Sequence, residues 1–273
     1  LQDSAHIQEQ EAEWQNRKAE RSGYEQYVPV YTVADAVESL KLFVGYGYNK
    51  PIEIVDGITI NFCDAGHLLG SSSIHITVKE NDEERTILFS GDLGNIDRPL
   101  IRNPQNPPYA DYVVIESTYG DRVHGERPDY IAQLTKIMQE TFSKGGNLVI
   151  PSFAIGRTQE LLYLFRIIKE QGLIKGHENF LVYVDSPLAV EATKIYQDNL
   201  MGYYDEETIA LVKQGINPIS FPGLRLSVTT EESRAINFDL IPKVIISASG
   251  MCEAGRIRHH LKHNLWKENS TIL

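Results

Sequence analysis

The hydrophobic rhythm of the chain changes near Gly120, and this change constrains the fold more than any other feature. Before Gly120, short segments such as residues 58–62 alternate apolar and polar side chains, which is typical of half-buried antiparallel strands. An Asp56-Gly57 pair in front of that segment predicts a hairpin turn. After Gly120, short apolar strands alternate with helical segments, which predicts a parallel α/β sheet. We therefore expect two architectures in one chain, divided near residue 120.

Caps, turns and periodicity locate the individual elements. Ser4 is the expected N-cap of a first helix that reaches about residue 21, and Thr32 with Asp35 forms a capping box for a second helix over residues 33–43. Pro128 suits the first turn of a third helix that ends near residue 143. The expected strands are 52–55, 58–62, 73–79, 86–89, 112–115, 148–150, 180–184 and 244–246, and further helices are expected over 157–170, from residue 188, and over 254–265.

Composition and charge limit the class of protein. Hydrophobic residues make up 42% and charged residues 23% of the 273 residues, as in an ordinary globular chain. Two distant cysteines, Cys63 and Cys252, argue against a disulfide scaffold and favour a cytoplasmic location. No apolar run reaches the length of about 18 residues that a membrane-spanning helix needs. The net charge of −11 argues mildly against a broad nucleic-acid-binding surface, but it permits a local basic channel.

Three strand ends in the first half carry a polar residue among glycines. They read GHLLGS around His67, SGDLG around Asp92 and ESTYG from Glu116. Imidazole and carboxylate groups suit zinc, and glycine lets the backbone turn sharply beside such ligands. Singly, the first two stretches are more typical of ordinary turns, and Glu116 alone would be a solvated strand end. The order and spacing of all three together favour a metal site.

The strand ends of the second half are also polar and turn-forming. They read Pro151-Ser152, Asp185-Ser186-Pro187, and SASG over residues 247–250. Because ligands collect at the carboxyl ends of parallel strands, we expect these three ends to border a second part of the functional site.

These stretches resemble the metallo-β-lactamase superfamily, and in particular its β-CASP branch. GHLLGS resembles the third metal motif of the superfamily, SGDLG its fourth motif, and ESTYG motif A of the branch. Residues 151–161 and 247–263 resemble two further β-CASP segments, and residues 3–9 resemble the helix that follows the main metal motif in bacterial members. The branch contains the endonuclease subunit of the pre-mRNA cleavage and polyadenylation factor and its bacterial and archaeal relatives. The resemblance covers essentially the whole chain.

The resemblance implies an α/β fold in two parts. Residues 1–120 would form part of a metallo-β-lactamase αββα sandwich, and residues 121–273 an inserted β-CASP α/β domain with a mainly parallel sheet. None of the eight histidines lies in the family's principal H-x-H-x-D-H motif, which would lie upstream of Leu1. The histidines of motifs B and C would lie downstream of Leu273. We therefore expect an interior fragment that binds zinc poorly and is inactive alone, with residues 270–273 beginning a strand.

The activity implied by the resemblance is zinc-dependent hydrolysis of RNA phosphodiester bonds, in RNA processing or decay. His67 would bind one zinc, and Asp92 would bridge two zinc ions that hold a bridging hydroxide as the nucleophile. Glu116 would not bind metal but would hydrogen-bond the motif B histidine and tune it as general acid. The expected catalytic residues are thus Glu116 and Asp92, and the expected products carry a 5′-phosphate and a 3′-hydroxyl.

Substrate contacts are expected in the β-CASP part. The candidate substrate-binding residues are Arg157, Ser247, Ser249, Arg256 and His259. Guanidinium groups pair bidentately with phosphate, which adds Arg258 to the candidates. Pairing of these arginines with local acids such as Glu253, or exposure to solvent, is an equal alternative. The loop over residues 247–250 can present backbone amides to a phosphate. Single-stranded RNA is the expected partner, no membrane is expected, and a homodimer is compatible with the sequence.

The remaining histidines give no metal pattern. His259 and His263 lie four residues apart on one predicted helix, but no acidic residue lies between them as in H-E-x-x-H. We therefore favour packing or substrate contact over metal binding for both. Strand and surface roles are expected for His6, His75, His124 and His177.

Three other functions are weighed against the ribonuclease. A small-molecule hydrolase of the same superfamily would lack the long α/β stretch that follows Glu116. A non-catalytic β-CASP scaffold subunit would have eroded metal ligands, whereas His67, Asp92 and Glu116 are intact here. A plain α/β binding module would leave the ordered series of motifs unexplained.

Overall fold

The computed structural model describes residues 1–19, 26–123, 125, 128–198 and 200–273. The chain divides into two compact units, Leu1–Gly47 and Tyr48–Leu273. No helix within the described ranges is long and apolar enough to cross a membrane. His124 and the expected end of the first helix at residue 21 lie outside the described residues.

The first unit opens with helix α1 (Gln2–Ala19). This helix begins before Ser4, so the prediction that Ser4 is its N-cap is wrong. The amide of Ala5 donates to the carbonyl of Leu1 at 2.9 Å, and the first helical hydrogen bond therefore closes on Leu1.

Helix α2 (Val33–Leu40) begins at the expected capping box. The amide of Asp35 donates to the hydroxyl of Thr32, and the amide of Thr32 donates to the carboxylate of Asp35 at 2.9 Å. The helix ends three residues before the expected residue 43. The following amides bond to carbonyls three residues earlier, which tightens the chain into a turn.

The second unit contains a five-stranded sheet in the order β1-β2-β3-β4-β5. Strands β1 to β4 are antiparallel and β5 is parallel to β4, which confirms the mostly antiparallel sheet. The strands are β1 (Ile52–Val55), β2 (Ile58–Asp64), β3 (Ser72–Glu80), β4 (Glu83–Phe89) and β5 (Tyr112–Val114). The Asp56-Gly57 turn forms as expected, with Gly57 at a φ of +78° that favours a residue without Cβ.

A second sheet in the same unit is entirely parallel, in the order β10-β6-β9-β7-β8. This confirms the α/β architecture expected after residue 120. The strands are β6 (Leu148–Pro151), β7 (Leu181–Asp185), β8 (Leu224–Ser227), β9 (Lys243–Ser247) and β10 (Thr271–Ile272). Strand β8 was not predicted, whereas β10 lies within the strand expected to begin at residue 270.

Helices pack around the parallel sheet. They are α3 (Tyr130–Ser143), α4 (Arg157–Glu170), α5 (Pro187–Asp198), α6 (Leu200–Tyr203), α7 (Glu206–Lys213), α8 (Thr230–Phe238) and α9 (Ile257–Asn264). Helix α3 begins at Tyr130, after the N-cap Asp129, whose carboxylate accepts from the amide of Ala132 at 2.9 Å. Pro128 therefore precedes the N-cap, and its prediction as a first-turn residue is wrong.

The largest hydrophobic core lies between these helices and the central strands. Its fully buried members include Phe142, Leu162, Phe165, Val182 and Val244. The register pairs Pro151 with Ser247 and Val184 with Ile246, so the carboxyl ends of β6, β9 and β7 are adjacent. Helices α4, α5 and α9 follow those three strands. The N-termini of these three helices therefore lie at the carboxyl ends of the strands, which were predicted to border the site.

Candidate active site

The loops that carry His67 and Asp92 lie against each other. The amide of Gly94 donates to the carbonyl of Ala65 at 2.8 Å. A Cβ atom on Gly94 would lie 1.7 Å from the carbonyl oxygen of Gly66, so only glycine permits this approach. The ends of β2 and β4 therefore form one rim of the antiparallel sheet.

The backbone around His67 is fixed by its own loop. The hydroxyl oxygen of Ser71 accepts from the amides of His67 and Leu68 at 3.0 and 3.1 Å. The carbonyl of His67 accepts from Nη1 of Arg98 at 3.3 Å. These bonds engage backbone groups, so they fix the backbone of His67 without using the ring nitrogens of its half-buried imidazole.

Glu116 joins the same rim from the end of β5. Its carboxylate accepts from the amide of Leu93 at 2.6 Å and from the hydroxyl of Thr118 at 2.8 Å. The hydrogen bond from Leu93 lowers the pKa of Glu116 most, followed by the bond from Thr118 and the attraction of His67. Glu116 is therefore an ionised acceptor at neutral pH, and it is bonded to the loop that carries Asp92.

The structure thus brings His67, Asp92 and Glu116 onto adjoining loops, although the sequence separates them widely. An imidazole and a carboxylate are donors that zinc accepts, so the chemistry of His67 and Asp92 fits this ion. Within the part of the chain that the structure describes, no group of three or more His, Cys, Asp or Glu is placed to hold a metal ion. His67 and Asp92 would therefore supply only part of a coordination shell.

The rim is also connected to the parallel sheet at the start of α4. A Cβ atom on Gly156 would lie 2.2 Å from the side chain of Leu68. Arg98, which binds the carbonyl of His67, donates through Nε to Glu160 of α4 at 2.8 Å. Arg157, a candidate phosphate contact, pairs with the other oxygen of Glu160 at 3.0 Å while its side chain is 56% exposed. Arg157 therefore lies beside the loop that carries His67.

The loop after β9 uses its hydroxyl groups internally. Ser247 is buried, and its Oγ donates to the carbonyl of Asp185 at 2.7 Å. Ser249 donates to the carbonyl of Ala254 at 3.2 Å. The amides of Gly250 and Met251 have no hydrogen-bond acceptor among the described residues. The donors of this loop that remain for a ligand are therefore backbone amides.

Arg256 points into the protein toward Asp185, at the end of β7. Its Nη1 donates to the Asp185 carboxylate at 2.7 Å, and its Nη2 donates to the carbonyl of Val228. The sequence suggested a local acid such as Glu253 as the alternative to phosphate, whereas the acid found is distant in sequence. Arg258 instead donates to the backbone carbonyl of Glu253 at 3.4 Å.

The sequence placed Asp185 at a strand end expected to border the site, but it assigned no individual role to Asp185 or to His260. Asp185 is fully buried, and Nε2 of the fully buried His260 lies 2.6 Å from its carboxylate. Burial raises the pKa of Asp185, but hydrogen bonds from His260, Ser233, Arg256 and Ser227 outweigh burial and lower the pKa to about 2. The available signal was a carboxylate placed directly after a buried apolar strand.

The other histidines take packing and surface positions. His259 is exposed on α9, and the ring of His263 packs edge-on against Phe238 with centroids 6.1 Å apart. His75 on β3 binds the carbonyl of Tyr109 at 3.0 Å, which agrees with its expected strand role. His6 forms a side-chain hydrogen bond with Gln10, and the ring of His177 packs against that of Phe142.

Several known proteins are similar in sequence to this chain over most of its length. Residues 158–273 match the Beta-Casp domain family. Ribonuclease TTHA0252 of Thermus thermophilus is 36% identical over 244 residues, which are 87% of this chain and 52% of that protein. The RNase J-like protein of Methanocaldococcus jannaschii is 28% identical over 246 residues, 89% of this chain and 55% of that protein.

A third relative is the transcription termination factor FttA of Methanocaldococcus jannaschii. It is 31% identical over 248 residues, which are 89% of this chain and 38% of that protein. The chain thus spans about half the length of the first two relatives and less of the third. Together with the parallel sheet, these matches show that the chain carries a Beta-Casp domain and is similar over most of its length to proteins named as ribonucleases.

Proposed function

We propose that the complete protein is a zinc-dependent ribonuclease that hydrolyses phosphodiester bonds of single-stranded RNA. The observation that carries this proposal is the pair of adjoining loops, which places His67 and Asp92 on one rim with Glu116 bonded to it. Two relatives are named ribonuclease or RNase J-like, and this supports RNA as the substrate. The family relationship supports hydrolysis as the reaction.

Each rim residue has a distinct role in the proposed reaction. His67 and Asp92 would contribute donors to zinc, which supplies electrophilic catalysis by lowering the pKa of water and neutralising charge on the phosphate. Glu116 is held as a carboxylate by the Leu93 amide and the Thr118 hydroxyl. One role for such an oriented acceptor is to fix the ring of a histidine that gives a proton to the leaving oxygen.

The edge of the parallel sheet offers the phosphate-binding groups. Helices α4, α5 and α9 all begin there, and helix N-termini carry partial positive charge that favours anions. Arg157 on α4 and the amides of Gly250 and Met251 would contact the RNA backbone. His259 is a further candidate contact, since it lies exposed on α9. This arrangement lets a chain of net charge −11 bind a polyanion.

Several finer features stay predictions. They include the division into a metallo-β-lactamase part over residues 1–120 and a β-CASP part over residues 121–273, inside which the family match falls. A cytoplasmic location accords with the free state of Cys63 and Cys252. The binding of two zinc ions by the complete enzyme and the formation of a homodimer also stay predictions.

The test is RNA cleavage by the full-length protein and by its Asp92→Asn variant. The variant keeps the shape of the side chain but removes the charge that binds zinc. We expect its turnover of a labelled single-stranded RNA to fall more than about hundredfold, with bound zinc reduced in parallel. Treatment with a chelator should abolish wild-type cleavage, and added zinc should restore it.

A matched control is Asp82→Asn, in the exposed turn between β3 and β4. It makes the same chemical change away from the rim and should leave cleavage at the wild-type rate. If the zinc-loaded wild-type protein does not cut RNA, or if Asp92→Asn cuts it normally, the proposed function is wrong.

A further inference from the structure

A buried carboxylate lies at the carboxyl end of β7, where the parallel sheet meets the loop after β9. Asp185 has 0% exposure, and its side chain takes part in four hydrogen bonds. The partners are Ser227 at 2.8 Å, Ser233 at 2.6 Å, Arg256 at 2.7 Å and His260 at 2.6 Å. Burying a charge is costly unless it is paired and hydrogen-bonded, and this set of donors meets that condition.

Asp185 contacts both ends of the loop over residues 247–256. At the start of the loop, the hydroxyl of Ser247 donates to the backbone carbonyl of Asp185 at 2.7 Å. At its end, the guanidinium of Arg256 donates to the Asp185 carboxylate. The amide of Ile257 also donates a hydrogen bond to the carbonyl of Ala248 at 3.1 Å, which closes the base of the loop. One residue of β7 therefore fastens the two ends of a loop that belongs to another strand.

The apex of this loop is open to a ligand. The amides of Gly250 and Met251 are without an acceptor in the described ranges of the chain, and the side chain of Met251 is 69% exposed. Gly250 packs on Phe153, since a Cβ atom there would lie 3.3 Å from Cδ2 of the ring. Phe153 follows β6 and precedes α4, which carries Arg157. The free amides thus lie next to the segment that leads to the candidate phosphate contact.

We infer that Asp185 is a positioning residue for RNA binding, which holds the Gly250 and Met251 amides against a substrate phosphate by fastening the loop through Ser247 and Arg256. The inference rests on the proposed function, because it concerns the same substrate. It gives Arg256 a supporting role in place of the direct phosphate contact expected from the sequence. Asp185 touches neither the substrate nor the rim residues in this arrangement.

A positioning role of this kind affects substrate binding more than the chemical step. The rim residues His67, Asp92 and Glu116 make none of the hydrogen bonds of the Asp185 cluster. A displaced loop would weaken contacts that are made in both the ground state and the transition state, which raises KM and leaves kcat little changed.

The first test measures steady-state RNA cleavage by the full-length protein with Arg256→Lys and Ser247→Ala. Lysine keeps the charge of Arg256 but cannot bridge two acceptors with a planar fork. We expect Arg256→Lys to raise KM about tenfold and Ser247→Ala about threefold, each with kcat within about twofold of the wild type.

The matched control is Asp239→Asn. Asp239 pairs with the fully buried Lys243 at 3.3 Å, at the start of β9 and therefore at the opposite end of the strand from the loop. This variant also weakens a buried ion pair, so it should lower the melting temperature while KM stays at the wild-type value. If it raises KM as much as Arg256→Lys does, the effect is general destabilisation and the inference is wrong.

A second measurement does not depend on cleavage. Amide hydrogen exchange is followed in the wild type and in Arg256→Lys, with and without inorganic phosphate. We expect phosphate to slow exchange of the Gly250 and Met251 amides in the wild type but not in the variant. Absence of that protection in the wild type overturns the inference. Protection without any RNA cleavage by the wild type keeps the inference about the loop and rejects the ribonuclease.

Discussion

Asp185 and Glu116 are both carboxylates with a lowered pKa, yet their surroundings prepare them for different roles. The carboxylate oxygens of Asp185 are buried among four partners inside the protein. Glu116 accepts from one amide and one hydroxyl at a partly exposed rim. A carboxylate has about four lone-pair sites, so Glu116 retains acceptor capacity for a further partner. The carboxylate oxygens of Asp185 instead accept hydrogen bonds from groups inside the protein, and these bonds stabilise the fold.

The lowered pKa of Asp185 predicts how stability depends on pH. Its folded pKa of about 2 lies below the ordinary value of 3.8, so its contribution is fully present above about pH 4 and is lost as the pH falls toward 2. The contribution amounts to about 2 kcal/mol. We expect Asp185→Asn to destabilise the protein at about pH 5 by about 3–5 kcal/mol, because Arg256 loses its counter-charge and the buried hydrogen-bond network around Asp185 is disrupted.

Urea unfolding of the wild type and Asp185→Asn at several pH values checks this prediction. The difference between their free energies of unfolding should narrow by about 2 kcal/mol as the pH falls from about 5 to about 2. A constant difference over that range would contradict the assignment of the lowered pKa to Asp185.

At the level of elements, the approach of two loops decides whether the rim forms. The His67 loop and the Asp92 loop touch backbone to backbone at Gly66 and Gly94. Overpacking of this kind costs about 1–3 kcal/mol when the neighbours can shift. Because both contacting groups are backbone, we expect Gly94→Ala to reach the upper end of this range, measured by urea unfolding, and to reduce zinc binding by the full-length protein.

Gly202→Ala serves as the control for that experiment. A Cβ atom on Gly202 in α6 meets nothing within 4 Å, so alanine should be tolerated there without loss of stability or zinc. Equal stability and equal zinc content in Gly94→Ala and the wild type would show that the loops do not need this close approach.

The elements that the sequence predicted well are those with local signals. The capping box of α2, the Asp56-Gly57 hairpin and the buried strand β6 follow from neighbouring residues alone. Strand β8 was missed because it is an edge strand whose central residues are exposed, so it has neither a continuous apolar run nor a clear alternation. Helices α6 to α8 were missed as well, and two of them span only four and eight residues.

In the candidate site, too, the sequence predicted the features that have local signals and missed those that depend on distant residues. His67, Asp92 and Glu116 each follow a strand beside glycines, so local sequence predicted their convergence on one rim. The cluster around Asp185 joins residues that lie 42 to 75 positions away, and no local pattern carries such pairings. Arg256 illustrates the limit, because its acid partner is 71 positions away and not the nearby Glu253.

For the whole molecule, the proposed binding of RNA raises an electrostatic problem, because the chain is acidic. The net charge of −11 argues against a broad basic surface, so any attraction of RNA depends on local groups. Two local sources of positive potential are present. The N-termini of α4, α5 and α9 meet at one sheet edge, and Arg98 and Arg157 share the single carboxylate of Glu160. Within this group of three side chains, two cations face one anion, so one positive charge is in excess.

This excess predicts a specific change in the salt dependence of RNA binding. If Arg157 neutralises one phosphate, its replacement by glutamine should weaken binding and make the slope of log affinity against log salt shallower by about 0.7, the value per phosphate contact on a single strand. Fluorescence anisotropy of a labelled RNA between about 50 and about 200 mM KCl measures this slope. The Asp92→Asn background prevents cleavage during the titration.

Arg85→Gln is the matched control, because Arg85 lies in β4 and pairs with the exposed Glu83 at 3.2 Å. It removes the same formal charge from the molecule without touching the sheet edge. If net charge alone governs binding, both variants should lose the same affinity and keep the same slope. If the local excess governs binding, only Arg157→Gln should change the slope, because counterions are released only where a phosphate meets a cation.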